Sequence, residues 1–186
     1  ARHTRESILL CEAAGFDVVL VETVGVGQSE TAVAGMVDMF LLILLPGSGD
    51  ELQGFKRGIV ELADLVIVNK ADQDLLEAAG RVAVEYANAL QFLTPASPGW
   101  TPRVVTCSAL EGTGIDGIWQ IVEEYRAAMA EGGAFEERRS KQARNWMWRE
   151  LDDSLLASFR AHPAVAARFA ELEGQVEAGT LTSAAA

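Results

Sequence analysis

Residues 65–72 read LVIVNKAD, an apolar run that leads directly into an Asn-Lys-x-Asp motif. The run is typical of a strand that is buried on both faces of a parallel sheet. A carboxylate at its end can accept hydrogen bonds from guanine N1–H and from the exocyclic N2 amino group, whereas adenine offers no matching pair of donors. The segment therefore favours recognition of a guanine base by Asn69, Lys70, Ala71 and Asp72. Asp72 is expected on the base edge, Asn69 between neighbouring loops, and the stem of Lys70 over the ring.

A second short motif, TCSAL at 106–110, follows one strand–helix unit later. It has the form of a loop whose backbone N–H groups approach guanine O6, which makes Ser108, Ala109 and Leu110 candidate binding residues. Each motif also has a plainer interpretation. Asp72 could simply cap the turn that follows it, and a Ser-Ala pair is common in ordinary strand-end turns. The order and spacing of the two motifs favour the guanine-binding interpretation.

The wider pattern predicts an α/β fold with a parallel sheet like that of P-loop GTPases. Apolar runs predict strands at 16–21, 38–45, 65–68 and 104–107, and helical periodicity predicts helices at 4–14, 53–63, 74–92 and 114–130. In such sheets ligands bind beyond the carboxyl ends of the strands. Four polar motifs are expected at that edge, at 22–25, 46–54, 69–72 and 108–110.

The segment ETVG at 22–25 stands where many GTPases carry Asp-x-x-G. Glu22 is the candidate Mg²⁺ ligand, directly or through water, and the N–H of Gly25 could meet a γ-phosphate. Gln28 lies in the following VGVGQSET stretch, whose composition is typical of a loop that rearranges around a phosphate. Glu22, Gly25 and Gln28 are thus candidate catalytic switch residues. A structural turn is the alternative.

The segment PGSGDELQGFKRG at 46–58 presents four polar side chains after an apolar strand, namely Asp50, Glu51, Gln53 and Lys56. The functional hypothesis is a mobile loop that couples to a partner. The alternative is a solvated helix start, in which Asp50 caps and Glu51 interacts favourably with the helix dipole.

The composition and charge of the chain disfavour several classes of function. A net charge of −12 with scattered basic residues disfavours nucleic-acid binding. The longest apolar run, 39–45, is far shorter than the roughly 20 residues that cross a bilayer, so no membrane association is expected. Cys11 and Cys107 lack neighbouring metal-ligand partners, and we interpret them as buried, reduced thiols of a cytoplasmic protein.

The composition changes at Gly132-Gly133, which we interpret as a domain boundary between residues 1–132 and 133–186. Two helices are predicted beyond it, at 135–160 and 163–177. Trp146 and Trp148 cannot face the same side of a helix. Apolar residues on more than one face favour a dimerisation arm over a self-contained cap.

No G-x-x-x-x-G-K-[ST] phosphate loop occurs in the 186 residues. We therefore expect this chain to be most of a GTPase domain whose phosphate loop lies upstream of residue 1. Hydrolysis is expected of the complete protein and is in question for these 186 residues alone.

With these residues in hand, the chain closely resembles the MeaB/ArgK-type GTPases, the chaperones of adenosylcobalamin-dependent methylmalonyl-CoA mutase. The resemblance covers essentially the whole chain. It rests on VETVGVGQSETAV at 21–33, on LPGSGDELQGFKRGI at 45–59, on ELADLVIVNKAD at 61–72, on LTPASPGWTPRVVTCSALEGTGIDGIW at 93–119, and on WMW at 146–148.

The resemblance implies a P-loop GTPase that binds GTP, GDP and Mg²⁺, forms homodimers through its C-terminal helices, and gates cobalamin loading while protecting or reactivating the mutase. It places residues 22–30 in the second switch and residues 50–56 in a loop that couples nucleotide state to the mutase. The main Mg²⁺ ligands would lie upstream. Two alternatives stay open: a non-catalytic dimerising module that docks on the mutase, and a kinase linked to amino-acid transport.

Overall fold

The computed structural model describes residues 2–23, 29–47 and 57–185. Within them the helices are α1 (Arg2–Ala13), α2 (Ser29–Ala34), α3 (Arg57–Val60), α4 (Leu76–Leu90), α5 (Ile115–Glu131), α6 (Ala134–Ala161) and α7 (Pro163–Glu177). The strands are β1 (Leu41–Leu44), β2 (Leu65–Val68) and β3 (Arg103–Thr106), and a 3-10 turn, Gln73–Leu75, precedes α4. Two compact units are present, Ala1–Arg139 and Ser140–Ala186.

The three strands form one parallel sheet in the order β1-β2-β3. In its register, Leu65 of β2 pairs with Leu41 of β1 on one side and with Arg103 of β3 on the other. Strands that alternate with helices in this way confirm the predicted α/β class.

The central strand β2 is buried on both faces, which explains why its four residues are all apolar. Leu65 and Ile67 enter a core that α5 covers with Ile121, Tyr125 and Met129. On the opposite face, Val66 and Val68 pack in the clusters that contain Tyr86 and Ala79 of α4. This alternation follows from the two-residue period of a strand.

The strand predicted at 16–21 is wrong. Between the end of α1 and residue 23 the chain has neither helical nor strand structure. Phe16, Val18 and Leu20 are 63%, 49% and 83% exposed. A strand requires a neighbour that pairs its backbone groups, and none of the three described strands lies beside this segment in the sheet. Apolar composition alone was therefore not sufficient, and Glu22 does not follow a strand.

The other predicted elements agree with the structure to within a few residues at their ends. Helix α1 ends just before Gly15, whose φ of 88° lies in the left-handed region that favours glycine. Of the helix predicted at 53–63, only α3 is described, and residues 53–56 lie outside the described part of the chain.

A buried polar network lies at the amino edge of the sheet. Asp64, which immediately precedes β2, is fully buried, and its carboxylate accepts from Phe40 N at 2.9 Å and from Ser97 Oγ at 2.5 Å. Arg138 Nη1 lies 3.5 Å from the same carboxylate. It also donates to Ser97 Oγ at 2.7 Å and to Tyr125 OH at 2.9 Å. The proline-rich loop at 94–102 is thereby fixed to β2 and to the start of α6.

The neighbouring Arg139 makes a more exposed contact. It donates to both carboxylate oxygens of Asp38 at 2.8 and 2.5 Å, and lies 3.0 Å from Glu12 of α1. The first turns of α6 thus belong to the sheet-containing compact unit, which ends after Arg139. The division into a GTPase domain and a dimerisation arm remains a prediction.

The second unit consists of the rest of α6 together with α7. Phe159 and Phe169 meet edge to face with ring centroids 6.4 Å apart. Trp146 is half-buried and Trp148 is exposed, consistent with different helix faces. Several large apolar side chains of α6 are exposed, namely Met147, Trp148, Leu151, Leu155, Leu156 and Phe159. Across the described ranges, no helix is both long enough and apolar enough to span a membrane.

Candidate functional site

The two predicted recognition motifs lie side by side at the carboxyl edge of the sheet. Asn69 to Asp72 follow β2, and Ser108 to Leu110 come shortly after β3, its parallel neighbour. Backbone hydrogen bonds join the segments: Cys107 N donates to Val68 O and Ala71 N donates to Cys107 O, each at 2.9 Å. Asn69 N donates to Leu44 O of β1, also at 2.9 Å. The three strand ends therefore hold the motifs in one fixed arrangement.

The side chain of Asn69 joins the two motifs. Its Oδ1 accepts from Lys70 N at 2.7 Å and from Ala109 N at 3.1 Å. Because both partners are backbone N–H groups, which can only donate, the atom between them must be the amide oxygen. The structure thus places Asn69 between the loops, where the sequence motif suggested.

Asp72 and Ser108 form the second contact between the motifs. Ser108 is fully buried, and its hydroxyl donates to Asp72 Oδ2 while accepting from Glu111 N at 3.1 Å. Asp72 occupies the N-cap position of the 3-10 turn, yet its side chain makes no capping hydrogen bond. The capping interpretation therefore does not account for this carboxylate, which is half-buried and oriented by Ser108.

Lys70 adopts an unusual backbone conformation at this turn. Its φ is 59°, in the left-handed region that residues other than glycine, asparagine and aspartate rarely adopt. The side chain is exposed. Strained backbone persists where the surrounding structure fixes it, and it is common at binding sites. Leu110, in the facing loop, is 80% exposed, so both loops present apolar carbon to solvent at this edge.

We expect Lys70→Gly to separate stability from base binding. Glycine relieves the left-handed strain but adds entropy to the unfolded chain, and both effects are about 1 kcal/mol, so the free energy of unfolding should change by less than about 1 kcal/mol. Guanosine binding should weaken because the aliphatic stem of Lys70 would no longer cover the guanine ring. Urea unfolding and guanosine titration measure the two effects. Lys70→Met, which keeps the aliphatic stem, is the matched control. If Lys70→Gly binds guanosine as tightly as Lys70→Met does, the assignment of the Lys70 stem to the guanine ring is wrong.

Gly114, at the start of α5, lies against the backbone of Thr106 and Cys107. Its φ is 81°, and a Cβ at this position would lie 2.8 Å from Thr106 O and 3.4 Å from Cys107 Cα. No side chain fits there without displacing the backbone of the TCSAL segment. The antiparallel bridge between Ser108 and Thr113 completes the turn.

Gly114→Ala is expected to lower the free energy of unfolding by about 2–4 kcal/mol, since strain and a backbone clash add. Gly112→Ala is the matched control: its φ is 73°, but nothing lies within 4 Å of the added Cβ. It should cost only about 1 kcal/mol. Chemical denaturation of the two variants measures the difference, and equal losses would show that the close contact is unimportant.

Of the remaining predicted residues, Glu22 is the one that the structure describes. Glu22 is exposed in the irregular segment after α1. Gly25, Gln28, Asp50, Glu51, Gln53 and Lys56 lie outside the described residues. Within residues 2–23, 29–47 and 57–185, no group of three or more His, Cys, Asp or Glu side chains is placed to hold a metal. Glu22 alone does not provide the octahedral oxygen set that Mg²⁺ requires.

Sequence reasoning missed Gly114 and assigned Cys107 only a structural role. Cys107 is a buried free thiol, as predicted, but its Sγ also lies 3.6 Å from Asn69 Oδ1. In the sequence, this contact could have been indicated by the position of Cys107 immediately before the Ser-Ala pair.

The chain is similar in sequence to several known proteins. A Caulobacter vibrioides protein is 54% identical over the whole chain, which covers 57% of that protein. The Mus musculus methylmalonic aciduria type A homolog, mitochondrial, is 45% identical over 181 residues, or 97% of this chain and 44% of that protein. The Escherichia coli GTPase ArgK is 45% identical over 156 residues, or 84% of this chain and 47% of that protein.

A crystal structure described as LAO/AO transport system kinase superposes with a TM-score of 0.78 at 38% identity, covering 98% of this chain and 58% of that one. The chain thus spans about half the length of the relatives it matches. The family model described as methylmalonyl Co-A mutase-associated GTPase MeaB matches residues 1–164, and the chain belongs to that family.

Proposed function

We propose that this chain forms the base-reading part of a protein that binds and hydrolyses GTP. The observation that carries the proposal is the junction of two motifs at the carboxyl edge of the sheet. There Asn69 holds the Ala109 amide, and Ser108 orients the carboxylate of Asp72. Asp72 would accept from guanine N1–H and N2, and the stem of Lys70 would cover one ring face. The loop of Ser108 to Leu110 would approach O6. Because the Ser108 and Ala109 amides already donate to Thr113 O and Asn69 Oδ1, Leu110 N–H is the proposed donor to O6.

The energies indicate what these residues can do alone. Two or three hydrogen bonds to a charged group contribute about 1.5–3 kcal/mol each, whereas association costs at least about 4 kcal/mol. The remainder corresponds to a dissociation constant in the millimolar range or above. Phosphate binding, Mg²⁺ and the electrostatics of phosphoryl transfer would come mainly from other parts of the complete protein. Glu22, Gly25 and Gln28 are proposed to contribute there as switch residues.

The proposed role of the complete protein is that of a chaperone that protects or reactivates adenosylcobalamin-dependent methylmalonyl-CoA mutase and gates its cofactor loading. The family description names an association with that mutase, and this supports the partner. Asp50, Glu51, Gln53 and Lys56 are the proposed coupling loop. The free thiols Cys11 and Cys107 are consistent with a reducing compartment such as the cytoplasm.

Asp72→Ala in the complete protein tests the enzymatic proposal. It should lower kcat/KM for GTP by at least about 100-fold, because two hydrogen bonds to a charged group are lost. Asp74→Ala is the matched control, since Asp74 is an exposed carboxylate in the adjacent turn. Hydrolysis is measured with and without the mutase, which is expected to accelerate the unsubstituted protein. Hydrolysis that Asp72→Ala leaves unchanged would refute the assignment.

A second candidate function is a dimerising module that docks on the mutase without nucleotide. The exposed apolar side chains of α6, with Trp148 54% and Leu155 60% exposed, favour it because a surface helix usually buries such residues. Size-exclusion chromatography of the 186-residue chain with the mutase distinguishes the two functions. Co-elution without nucleotide would support the module, and its absence under every nucleotide condition would exclude it.

The kinase name of the structural neighbour suggests one further activity, phosphoryl transfer to a protein. The contacts described above support base recognition, and no observation on the described residues favours transfer to a protein, so this activity is not proposed. Release of inorganic phosphate, rather than labelling of a protein acceptor, is the expected outcome with GTP.

A further inference from the structure

We propose that Cys107 is a positioning residue for guanine recognition, because its thiol helps to fix the side chain of Asn69. The inference rests on the proposed function for its relevance to guanine, but the contact itself is a property of the ligand-free chain. Cys107 Sγ lies 3.6 Å from Asn69 Oδ1, the same oxygen that accepts from Lys70 N and Ala109 N. Three donors from two loops therefore converge on one atom.

The surroundings of Cys107 leave its thiol little freedom. The residue is 5% exposed, and both of its backbone polar groups bond to the segment around the Asn-Lys-x-Asp motif. Gly114 also lies close to Cys107, since a Cβ built on this glycine would be 3.4 Å from both Cys107 Cα and Cβ. The backbone of Cys107 is therefore fixed relative to the Asn-Lys-x-Asp motif, and its thiol is enclosed by protein.

The thiol is suited to act as a donor. Burial raises the pKa of Cys107, so the thiol stays protonated at neutral pH and retains the S–H group. An S–H is a weak donor, yet an oxygen that already accepts two backbone N–H groups needs only a small additional restraint. Loss of the thiol would remove this restraint, and the hydrogen bond between Asn69 Oδ1 and the Ala109 amide would open more often.

The first experiment measures amide hydrogen exchange by NMR in the ligand-free 186-residue chain. Cys107→Val removes the donor while keeping apolar volume, and Cys107→Ser restores a donor. In Cys107→Val we expect exchange of the Ala109 and Lys70 amides to accelerate about three- to tenfold, the range for loss of one hydrogen bond. In Cys107→Ser it should return toward the original rate. Exchange of the amides that join β2 to β3 should accelerate less than exchange of the Ala109 and Lys70 amides.

Val105→Ala is the matched control, because Val105 packs against the same core as Cys107 from β3. A general loss of packing would accelerate exchange equally in both variants, and this would overturn the proposal. Unchanged exchange of the Ala109 amide in Cys107→Val would also overturn it. Selective acceleration that Cys107→Ser reverses would support it.

The second experiment titrates guanosine into the same variants. If the unsubstituted chain binds guanosine and Cys107→Val binds it at least about threefold more weakly, with rescue by Cys107→Ser, the thiol positions Asn69 for the base. If the unsubstituted chain binds guanosine and Cys107→Val binds equally well, the positioning role is wrong and the proposed function stands. If no variant binds guanosine while the exchange pattern is as expected, the positioning of Asn69 stands and the base-reading function is wrong.

Discussion

Asp72→Asn is expected to reverse the base preference of the site from guanosine to xanthosine. In the unsubstituted chain the carboxylate accepts from guanine N1–H and N2, but it faces the O2 carbonyl of xanthine unfavourably. The asparagine amide can accept from xanthine N1–H and donate to O2. We expect guanosine affinity to fall at least tenfold, which is about 1.4 kcal/mol, while xanthosine binding appears. Ligand-observed NMR titrations measure both nucleosides.

The fold should tolerate this substitution because the contact with Ser108 can be kept. The Ser108 hydroxyl both donates and accepts, so it can pair with either amide atom in place of Asp72 Oδ2. Asp74→Asn, which makes the same change in charge two residues away, is the control and should bind guanosine normally. Loss of both nucleosides in Asp72→Asn together with an unchanged Asp74→Asn would mean that Asp72 does not read the base edge.

Arg138→Met is expected to destabilise the fold strongly. Asp64 is fully buried, and the side chain of Arg138 is 21% exposed at 3.5 Å from its carboxylate. Removing one partner of a buried pair leaves an uncompensated charge, which costs about 3–5 kcal/mol. The hydrogen bonds from Phe40 N and Ser97 Oγ still stabilise the carboxylate of Asp64. We therefore expect a loss at the lower end of this range, about 3 kcal/mol. Urea denaturation measures the change.

The adjacent Arg139 is a matched control. It makes a bidentate contact with Asp38, but the side chain is 50% exposed. Exposed ion pairs contribute up to about 1 kcal/mol, so Arg139→Met should cost much less than Arg138→Met. Similar losses in both variants would show that burial of Asp64 is not the dominant factor.

The sequence predicted the elements whose pattern depends on local chemistry. β2 is recognisable because burial on both faces requires four consecutive apolar residues, and α5 and α6 are recognisable from helical periodicity and the glycines between them. Residues 16–21 show the limit of this reasoning. The same apolar composition gave no strand there, because pairing depends on a neighbour that composition does not reveal.

For the candidate site, the sequence identified the two recognition motifs but not how they are held. Asn69, Asp72, Ser108 and Ala109 are adjacent in the structure because β2 and β3 are parallel neighbours. The role of Gly114 could not be predicted, since its close contact with Thr106 O depends on how α5 packs against the end of β3. Likewise, the amino-edge network of Asp64 joins residues too distant in sequence for any local pattern to relate them.

Chemical-shift mapping of guanosine binding to the ¹⁵N-labelled 186-residue chain is the direct test of base recognition at this edge of the sheet. With millimolar guanosine, we expect concentration-dependent shifts of the Lys70, Asp72 and Ala109 amides, weak saturation, and unchanged amides in α7. Adenosine at the same concentration should leave these resonances in place. Equal shifts with adenosine, or no shift of these amides with guanosine, would contradict the assignment of this edge of the sheet as a guanine-reading site.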